Sequence, residues 1–191
     1  MSYTLTTQTD YVASKEDTAK LKNEGNSTEK DFKDTVKYCE KAIDAYIQSL
    51  KACDLERSPK YYAMIQTNLA NIYAKLGDVK DKSENYKKAI EAYSEALRSN
   101  TLDQFPMEYA VLQMNLGNTY SKLSNLEDQD RIKYTEKAVE AYNESLKVFN
   151  RESFPMYYVI IQNSLGNEYG KLAGVENIAI SITNAKYGSL M

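Results

Sequence analysis

Asparagine recurs along the chain at positions that could form a binding surface. The four residues are Asn26, Asn71, Asn118 and Asn167, at intervals of 45, 47 and 49 residues. A side-chain amide both donates and accepts hydrogen bonds, so a row of amides could bind the backbone of an extended peptide. Alternatively, each amide could bond to a neighbouring helix of its own chain. The spacing leaves both interpretations open.

A lysine recurs with a similar spacing, at Lys30, Lys75, Lys122 and Lys171. A positive charge near the C-terminus of a helix is stabilised by the helix dipole by about 0.3–1 kcal/mol, so helix stability could explain three of the four. The other interpretation is that these lysines recognise acidic groups on a ligand.

The residues needed for catalysis or metal binding are scarce. The 191-residue chain has no histidine, which removes the commonest general base and the commonest metal ligand. It also lacks a nucleophile–base pair and a Gly-rich phosphate loop. The acidic segment 124–130 lacks the Asp spacing, turn glycine and closing Glu of a calcium loop, so we interpret it as helix capping and solvation. We therefore expect no enzyme activity, no cofactor and no metal site.

The cysteines and the apolar pattern predict a cytoplasmic location. Cys39 and Cys53 are 14 residues apart on one predicted helix, about 21 Å at 1.5 Å per residue, which is too far for a disulfide. Free thiols are typical of a reducing compartment. The first residues lack the apolar core of a signal peptide, and no apolar run reaches the length that spans a membrane.

Charge and composition narrow the possible partners. The chain has 24 basic and 27 acidic residues, a formal net charge of −3, and 42% hydrophobic residues. This balance gives no electrostatic reason to expect binding to nucleic acid or to a membrane surface. The hydrophobic share is sufficient for a core.

Two sequence phrases repeat and place these side chains on helices. The first covers residues 66–76, 113–123 and 162–172, and the second covers 41–46, 88–93 and 137–142. Both recur at offsets of 47 and 49 residues. Their apolar residues are three and four apart, which is the helical period. Each repeat is therefore predicted to contain two amphipathic helices.

The predicted helices divide the chain into four units, which we place at about 14–57, 58–104, 105–153 and 154–191, after a flexible tail of residues 1–13. The helices are expected at 14–28, 29–53, 60–76, 81–99, 107–123, 128–149 and 156–171, with a shortened closing helix over 175–188. Pro59, Pro106 and Pro155 share one repeat position just ahead of a helix, where the missing N–H costs nothing. Gly77 with Asp78 is predicted to end its helix as a left-handed cap.

The repeat positions resemble those of the tetratricopeptide repeat (TPR) family. In the third unit, Leu116, Gly117 and Tyr120 match the first helix of that repeat, and Ala138, Tyr142 and Ser145 match the second. The second unit matches with Leu69, Ala70, Tyr73, Ala89, Tyr93 and Ala96. Two features depart from the family: a Gln stands at the usual large aromatic position, and the period is 47 to 49 residues in place of about 34.

The resemblance implies an all-α fold, a TPR-like right-handed solenoid of about four antiparallel helix pairs. Small residues at Ala70, Gly117 and Gly166 would lie where paired helices approach closely. The first helices would line a concave groove for a ligand. The groove residues that it implies are Lys22, Asn26, Thr67, Asn68, Asn71, Lys75, Met114, Asn115, Asn118, Lys122, Asn163, Asn167 and Lys171. A strict carboxylate clamp is not expected, because Val111 and Asn115 stand where its charged side chains would be.

These features predict a non-catalytic scaffold that binds a peptide or a partner helix in the concave groove, with an acidic peptide as one candidate ligand. The alternative is a structural module that forms a homodimer through its terminal repeat or through a swapped helix pair.

Overall fold

The structure is a computed structural model that describes the backbone of residues 15–188 and the side chains of residues 29–174. Within this part the chain forms six α-helices: α1 (Lys15–Ala52), α2 (Pro59–Val79), α3 (Lys82–Leu97), α4 (Pro106–Ser124), α5 (Arg131–Leu146) and α6 (Pro155–Gly188), with a 3-10 turn at Asp128–Asp130. No strand occurs among the described residues, so the predicted all-α class is confirmed. The predicted tail of residues 1–13 lies outside them.

Proline fixes the start of three helices. Pro59, Pro106 and Pro155 are the first residues of α2, α4 and α6. The first N–H groups of a helix have no partner within it, and the ring already holds φ near the helical value. The repeated proline position is therefore explained, as the sequence predicted.

Consecutive helices pack against one another along the chain, most extensively α2 with α3 and α4 with α5. Equivalent hydrogen bonds join each of these pairs. The Tyr62 hydroxyl donates to Glu95 at 2.9 Å between α2 and α3, and the Tyr109 hydroxyl donates to Glu144 at 2.6 Å between α4 and α5. Residues at equivalent positions of the sequence repeat thus make equivalent side-chain contacts in the structure.

Two glycines allow a tyrosine ring to approach a helix backbone. A Cβ placed on Gly77 would lie 2.7 Å from the ring of Tyr86, and a Cβ on Gly117 would lie 2.8 Å from the ring of Tyr142. Real Cβ atoms essentially never come this close to a neighbouring atom. The predicted close approach at Gly117 is therefore present, although the sequence had assigned Gly77 a different role.

The prediction that Gly77 ends its helix as a left-handed cap is wrong. Gly77 lies inside α2, which continues to Val79. The residue in the left-handed region is Asp81, with φ 44°, immediately before α3. Glycine is required at position 77 because the Tyr86 ring occupies the space that a side chain would need.

The predicted separate closing helix over 175–188 is also wrong, because α6 runs without a break from Pro155 to Gly188. A glycine such as Gly174 costs a helix roughly 1 kcal/mol relative to alanine, which is too little to force a turn when no proline follows. As a result, within the described part of the chain, Gly166 has no helix against it, and a Cβ there would meet no atom within 4 Å. The close approach predicted at Gly166 is absent.

The start of the described chain differs from expectation in the same way. The sequence predicts one helix over 14–28 and a second over 29–53, but α1 is continuous from Lys15 to Ala52. Gly25 and Asn26 lie within it. Neither residue type prevents a helix from continuing, so alignment with the other repeats predicted a turn that this segment does not contain.

None of the described helices combines the length and the hydrophobicity that crossing a bilayer requires.

Candidate functional site

A cleft of about 630 Å³ lies between α2 and α4. Its lining residues are Lys60, Tyr61, Met64, Thr67 and Asn68 from α2, Met107, Glu108, Val111 and Leu112 from α4, and Asn100 and Phe105 from the segment before α4. Most of these side chains are apolar, and Lys60 and Glu108 add one charge of each sign. A concave, mostly apolar cleft with a few polar groups is the usual form of a binding site.

Several large apolar side chains in this cleft face solvent. Tyr61 is 63% exposed, Met64 is 52% exposed and Met107 is 39% exposed. On α6, Met156 and Ile160 hold the repeat positions of Met107 and Val111, and both are exposed. Contiguous exposed apolar surface marks an interaction site, and flexible methionines are frequent on surfaces that bind varied apolar partners.

The polar groups predicted from sequence contribute two residues to this cleft, Thr67 and Asn68, both half-buried. The hydroxyl of Thr67 donates to the backbone oxygen of Ala63 within α2 at 2.7 Å. The amide of Asn68, like that of Asn100, is a neutral group that can both donate and accept hydrogen bonds in the cleft.

Two of the recurring asparagines bond within their helix pairs. The hydroxyl of Tyr93 on α3 donates to Oδ1 of Asn71 on α2 at 2.6 Å, and the hydroxyl of Tyr142 on α5 donates to Oδ1 of Asn118 on α4 at 2.7 Å. Of the two interpretations of the asparagine row, the one in which the amide holds its own chain together applies at these positions. These contacts use the carbonyl side of each amide.

Lys122 bonds to an acidic residue of the preceding repeat. Its Nζ lies 2.6 Å from Oδ1 of Asp78, which also accepts a hydrogen bond from the Tyr86 hydroxyl at 2.7 Å. Burial acts to raise the pKa of the Asp78 carboxyl, but hydrogen bonds from Lys122 and Tyr86 together with the nearby positive charge hold that pKa below its usual value. Lys122 thus joins α4 to α2.

Lys171 lies in a more enclosed cluster between α4 and α6. Its Nζ is 3.0 Å from both carboxylate oxygens of Glu168 and also donates to Ser121 Oγ at 3.0 Å and Ser124 Oγ at 3.2 Å. Ser121 donates in turn to Glu168 at 2.6 Å. The Glu168 side chain is only 2% exposed and that of Lys171 is 24% exposed. This lysine, expected in a ligand groove, instead completes the contact between two helices.

The remaining predicted site residues are dispersed. Lys75 is exposed and borders a second depression of about 460 Å³ with Asp31 and Asp34. Asn163 and Asn167 are exposed on α6. Met114 packs beside the core, and Asn115 is half-buried on α4. Lys22 and Asn26 lie in α1, outside the residues whose side chains are described.

The sequence also contains recurring apolar positions that match the cleft, although its recurring Asn and Lys residues suggested a polar site. Met64, Val111 and Ile160 occupy one position in three successive repeats, as do Tyr61, Glu108 and Tyr157. An apolar residue at a recurring position can equally be core. The exposure of Met64 and Ile160 shows that these two side chains do not form a core layer, and exposure is a property of the folded chain.

The buried tyrosines make folding sensitive to alkaline pH. Burial, supported by the nearby Glu168 charge and opposed by a hydrogen bond with Ser164, raises the pKa of Tyr142 to about 12 from an ordinary value of 10.0. Burial also raises the pKa of Tyr93. The folded state thus favours the neutral phenol, and this stabilisation is complete below pH 10.0 and is lost as pH rises toward about 12.

We therefore expect the free energy of unfolding to fall above pH 10, and Tyr142→Phe to reduce the steepness of that fall because phenylalanine does not titrate. Urea denaturation at a series of alkaline pH values measures the slope. Tyr61→Phe, at an exposed tyrosine, is the matched control and should keep the parent slope. Equal slopes for Tyr142→Phe and the parent would contradict a buried titrating phenol.

Comparison with known families gives one match. The family described as "Uncharacterized protein conserved in bacteria (DUF2225)" matches residues 2–114. The chain belongs to this family. No curated protein and no solved structure matches the chain. The match covers α1, α2, α3 and about the first half of α4, and it includes every residue that lines the cleft.

Membership of the DUF2225 family corrects the resemblance to TPR proteins, which is wrong. The residues that carried the resemblance have a simpler physical cause. Gly117 allows the Tyr142 ring to approach the α4 backbone, and any closely packed helix pair with an aromatic side chain at the contact needs a small residue there. The period of 47 to 49 residues and the Gln at the usual aromatic position were real differences from the TPR family. The description of the DUF2225 family names no activity.

Proposed function

We propose that this chain is a non-catalytic scaffold that binds an apolar helical segment of a partner protein in the cleft between α2 and α4. The observation that carries the proposal is the group of exposed apolar side chains there, Tyr61, Met64 and Met107. Burying one such side chain completely contributes roughly 1.5–3 kcal/mol, and a partner that covers these half-exposed side chains gains part of that free energy for each of them.

The walls of the cleft favour a helix over an extended peptide. Both walls are helices, whose backbone groups already bond within the helix, so no strand edge is available to pair with an extended backbone. A bound helix satisfies its own backbone and needs only side-chain contacts. Its apolar residues at i, i+3, i+4 and i+7 would lie against Met64 and Val111.

The pairing of the charged side chains favours an apolar ligand over an acidic one. Lys122 is paired with Asp78, and Lys171 is paired with Glu168. Lys60 and Glu108 on the rim balance each other in sign. An acidic peptide would therefore have to compete with existing ion pairs, whereas an apolar face would cover surface that now meets water.

We also propose that α2–α3 and α4–α5 are antiparallel pairs, stacked so that α2, α4 and α6 share a concave side. The contacts between α2 and α3 support the antiparallel order of that pair. Gly77 lies against Tyr86, Asn71 bonds to Tyr93, and Tyr62 bonds to Glu95. Residues later in α2 thus contact residues earlier in α3, so the two helices run in opposite directions. A cytoplasmic setting, in which Cys39 and Cys53 remain the free thiols observed, belongs to the same proposal.

The binding proposal is tested with helical peptides selected by phage display against the parent protein. Met64→Glu should weaken their binding by about tenfold to a hundredfold, because a charge replaces an apolar contact worth roughly 1.5–3 kcal/mol. The measurement is calorimetric titration of the selected peptides into each variant.

Ile132→Glu is the matched control for this experiment. Ile132 is 46% exposed at the start of α5 and does not line the cleft. Its substitution should leave affinity within about twofold of the parent. If Met64→Glu and Ile132→Glu bind the selected peptides equally well, the cleft is not the binding surface.

A further inference from the structure

One face of α6 is bare although the equivalent face of α4 is buried. In α4, Ala110 is completely buried and Gly117 lies against the ring of Tyr142 from α5. The equivalent residues of α6, 49 positions further along the chain, are Val159, which is 62% exposed, and Gly166, whose Cβ would meet no atom within 4 Å. Over its described side chains, α6 lacks a neighbour of the kind that α5 provides for α4.

Helix α1 is bare on the complementary face. In α5, Ala141 and Ser145 are buried, and the Ser145 hydroxyl donates to the backbone oxygen of Ala110 in α4 at 2.8 Å. The equivalent residues of α1 are Ala45 and Ser49, and both are exposed. Ser49 donates to Ala45 of its own helix at 2.9 Å. The described part of α1 lacks a neighbour of the kind that α4 provides for α5.

We propose that α1 of a second copy docks on the bare face of α6, so that copies of this chain associate head to tail. The occupant is a second copy because each end of the molecule lacks what the other end presents. Helix α6 follows the pattern of α2 and α4, and α1 follows the pattern of α3 and α5. This interface is separate from the cleft between α2 and α4 and does not depend on it.

The contacts within the chain specify the register of this interface. The two Tyr-to-Asn bonds described above have an equivalent between Tyr46 of one copy and Asn167 of the next. Tyr46 is half-buried and Asn167 is exposed, so both are accessible to a partner. The two Tyr-to-Glu bonds have an equivalent between Gln48 and Tyr158, where the amide replaces the carboxylate as acceptor. The Tyr-to-Asn and Tyr-to-Glu contacts found inside the helix pairs thus have counterparts at the interface.

The lengths of the two terminal helices agree with this register. Helix α1 has 38 residues and α6 has 34, whereas α2 to α5 have 16 to 21. If Tyr46 lies opposite Gly166 and the helices run in opposite directions, position 188 lies opposite position 24, each 22 residues further from the contact. The segments that extend beyond the rest of the molecule would therefore lie side by side.

Two single substitutions and their mixture test the proposal. Ala45→Glu places a charge on the α1 face, and Gly166→Glu places one on the α6 face. Both positions are exposed, so each variant should keep the helical content of the parent, as checked by circular dichroism. Sedimentation velocity from about 1 µM to about 1 mM then reports association over the range of weak to moderate affinity. Gln129→Glu, at an exposed position outside both faces, is the matched control.

We expect the parent and Gln129→Glu to associate increasingly with concentration, because a head-to-tail contact either closes a ring or continues along a chain of copies. Each blocked variant alone should sediment as a monomer. An equimolar mixture of the two should form a dimer and nothing larger, since it contains one intact α1 face and one intact α6 face per pair.

Three outcomes would overturn the proposal. A parent that remains monomeric throughout would mean that the bare faces do not meet. Dimers of Ala45→Glu alone would indicate a symmetric contact between two α6 helices. A mixture that stays monomeric while the parent associates would show that some other surface is responsible.

Discussion

Replacing Gly117 with leucine is expected to lower the free energy of unfolding by about 3 kcal/mol, the upper end of the usual range for an overpacked core. The first added atom, Cβ, would already lie 2.8 Å from the Tyr142 ring, and that ring is almost completely buried. The ring has little room to retreat, and its hydroxyl is held by Asn118. Thermal denaturation should show the transition falling by roughly 6–12 °C.

Gly166→Leu is the matched control, because it makes the same chemical change at the equivalent position of α6. No atom of the described residues lies within 4 Å of a Cβ there. Leucine is a better helix former than glycine by up to about 1 kcal/mol, so this variant should be as stable as the parent or slightly more so. Both variants are measured at a concentration where the parent is monomeric. Equal losses at both positions would contradict the distinction between a filled and an open site.

The second large effect is expected at Glu168. Removing this carboxylate by Glu168→Ala leaves Lys171 partly enclosed between α4 and α6 without its counter-ion. Breaking a buried ion pair by deleting one partner costs about 3–5 kcal/mol, and we expect the lower end because the Lys171 side chain retains some contact with water. Urea denaturation measures the loss.

A double-substitution cycle separates the ion pair from general damage to the helix contact. Glu168→Leu with Lys171→Met removes both charges and keeps apolar volume, so it should be more stable than either single variant. Glu152→Ala, at an exposed acidic residue, should change stability by less than about 0.5 kcal/mol. Additive losses at Glu168 and Lys171 would show that the two side chains do not act as a pair.

The sequence predicted the central helices well because their signals are local. Proline marks the start of α2 and α4, and apolar residues three and four apart mark their length, so the expected 60–76 and 107–123 differ by only a few residues from Pro59–Val79 and Pro106–Ser124. The ends of the chain were predicted by analogy with the middle. There the analogy failed, since a turn near position 28 or 174 requires a neighbouring helix to pack on, and periodicity does not show whether one is present.

The surface was harder to predict than the helices. Lys122 pairs with Asp78, 44 residues earlier, and Ser121 donates to Glu168, 47 residues later. A recurring lysine or asparagine looks the same in sequence whether its partner is a ligand or another helix of the chain. Only the folded arrangement shows that Asn71 bonds to Tyr93 while Met64 is left exposed.

The dependence of each helix mainly on its neighbours along the chain also bears on how such a protein can change in length. Segments 59–105 and 106–154 each begin with a proline and stop just before the next one, and each contributes the same kinds of contact. Duplicating or deleting one such segment would join surfaces that already fit. The ancestral gene could thus have gained or lost whole helix pairs by recombination. Such a change would alter the length of the helical array without requiring a new hydrophobic core.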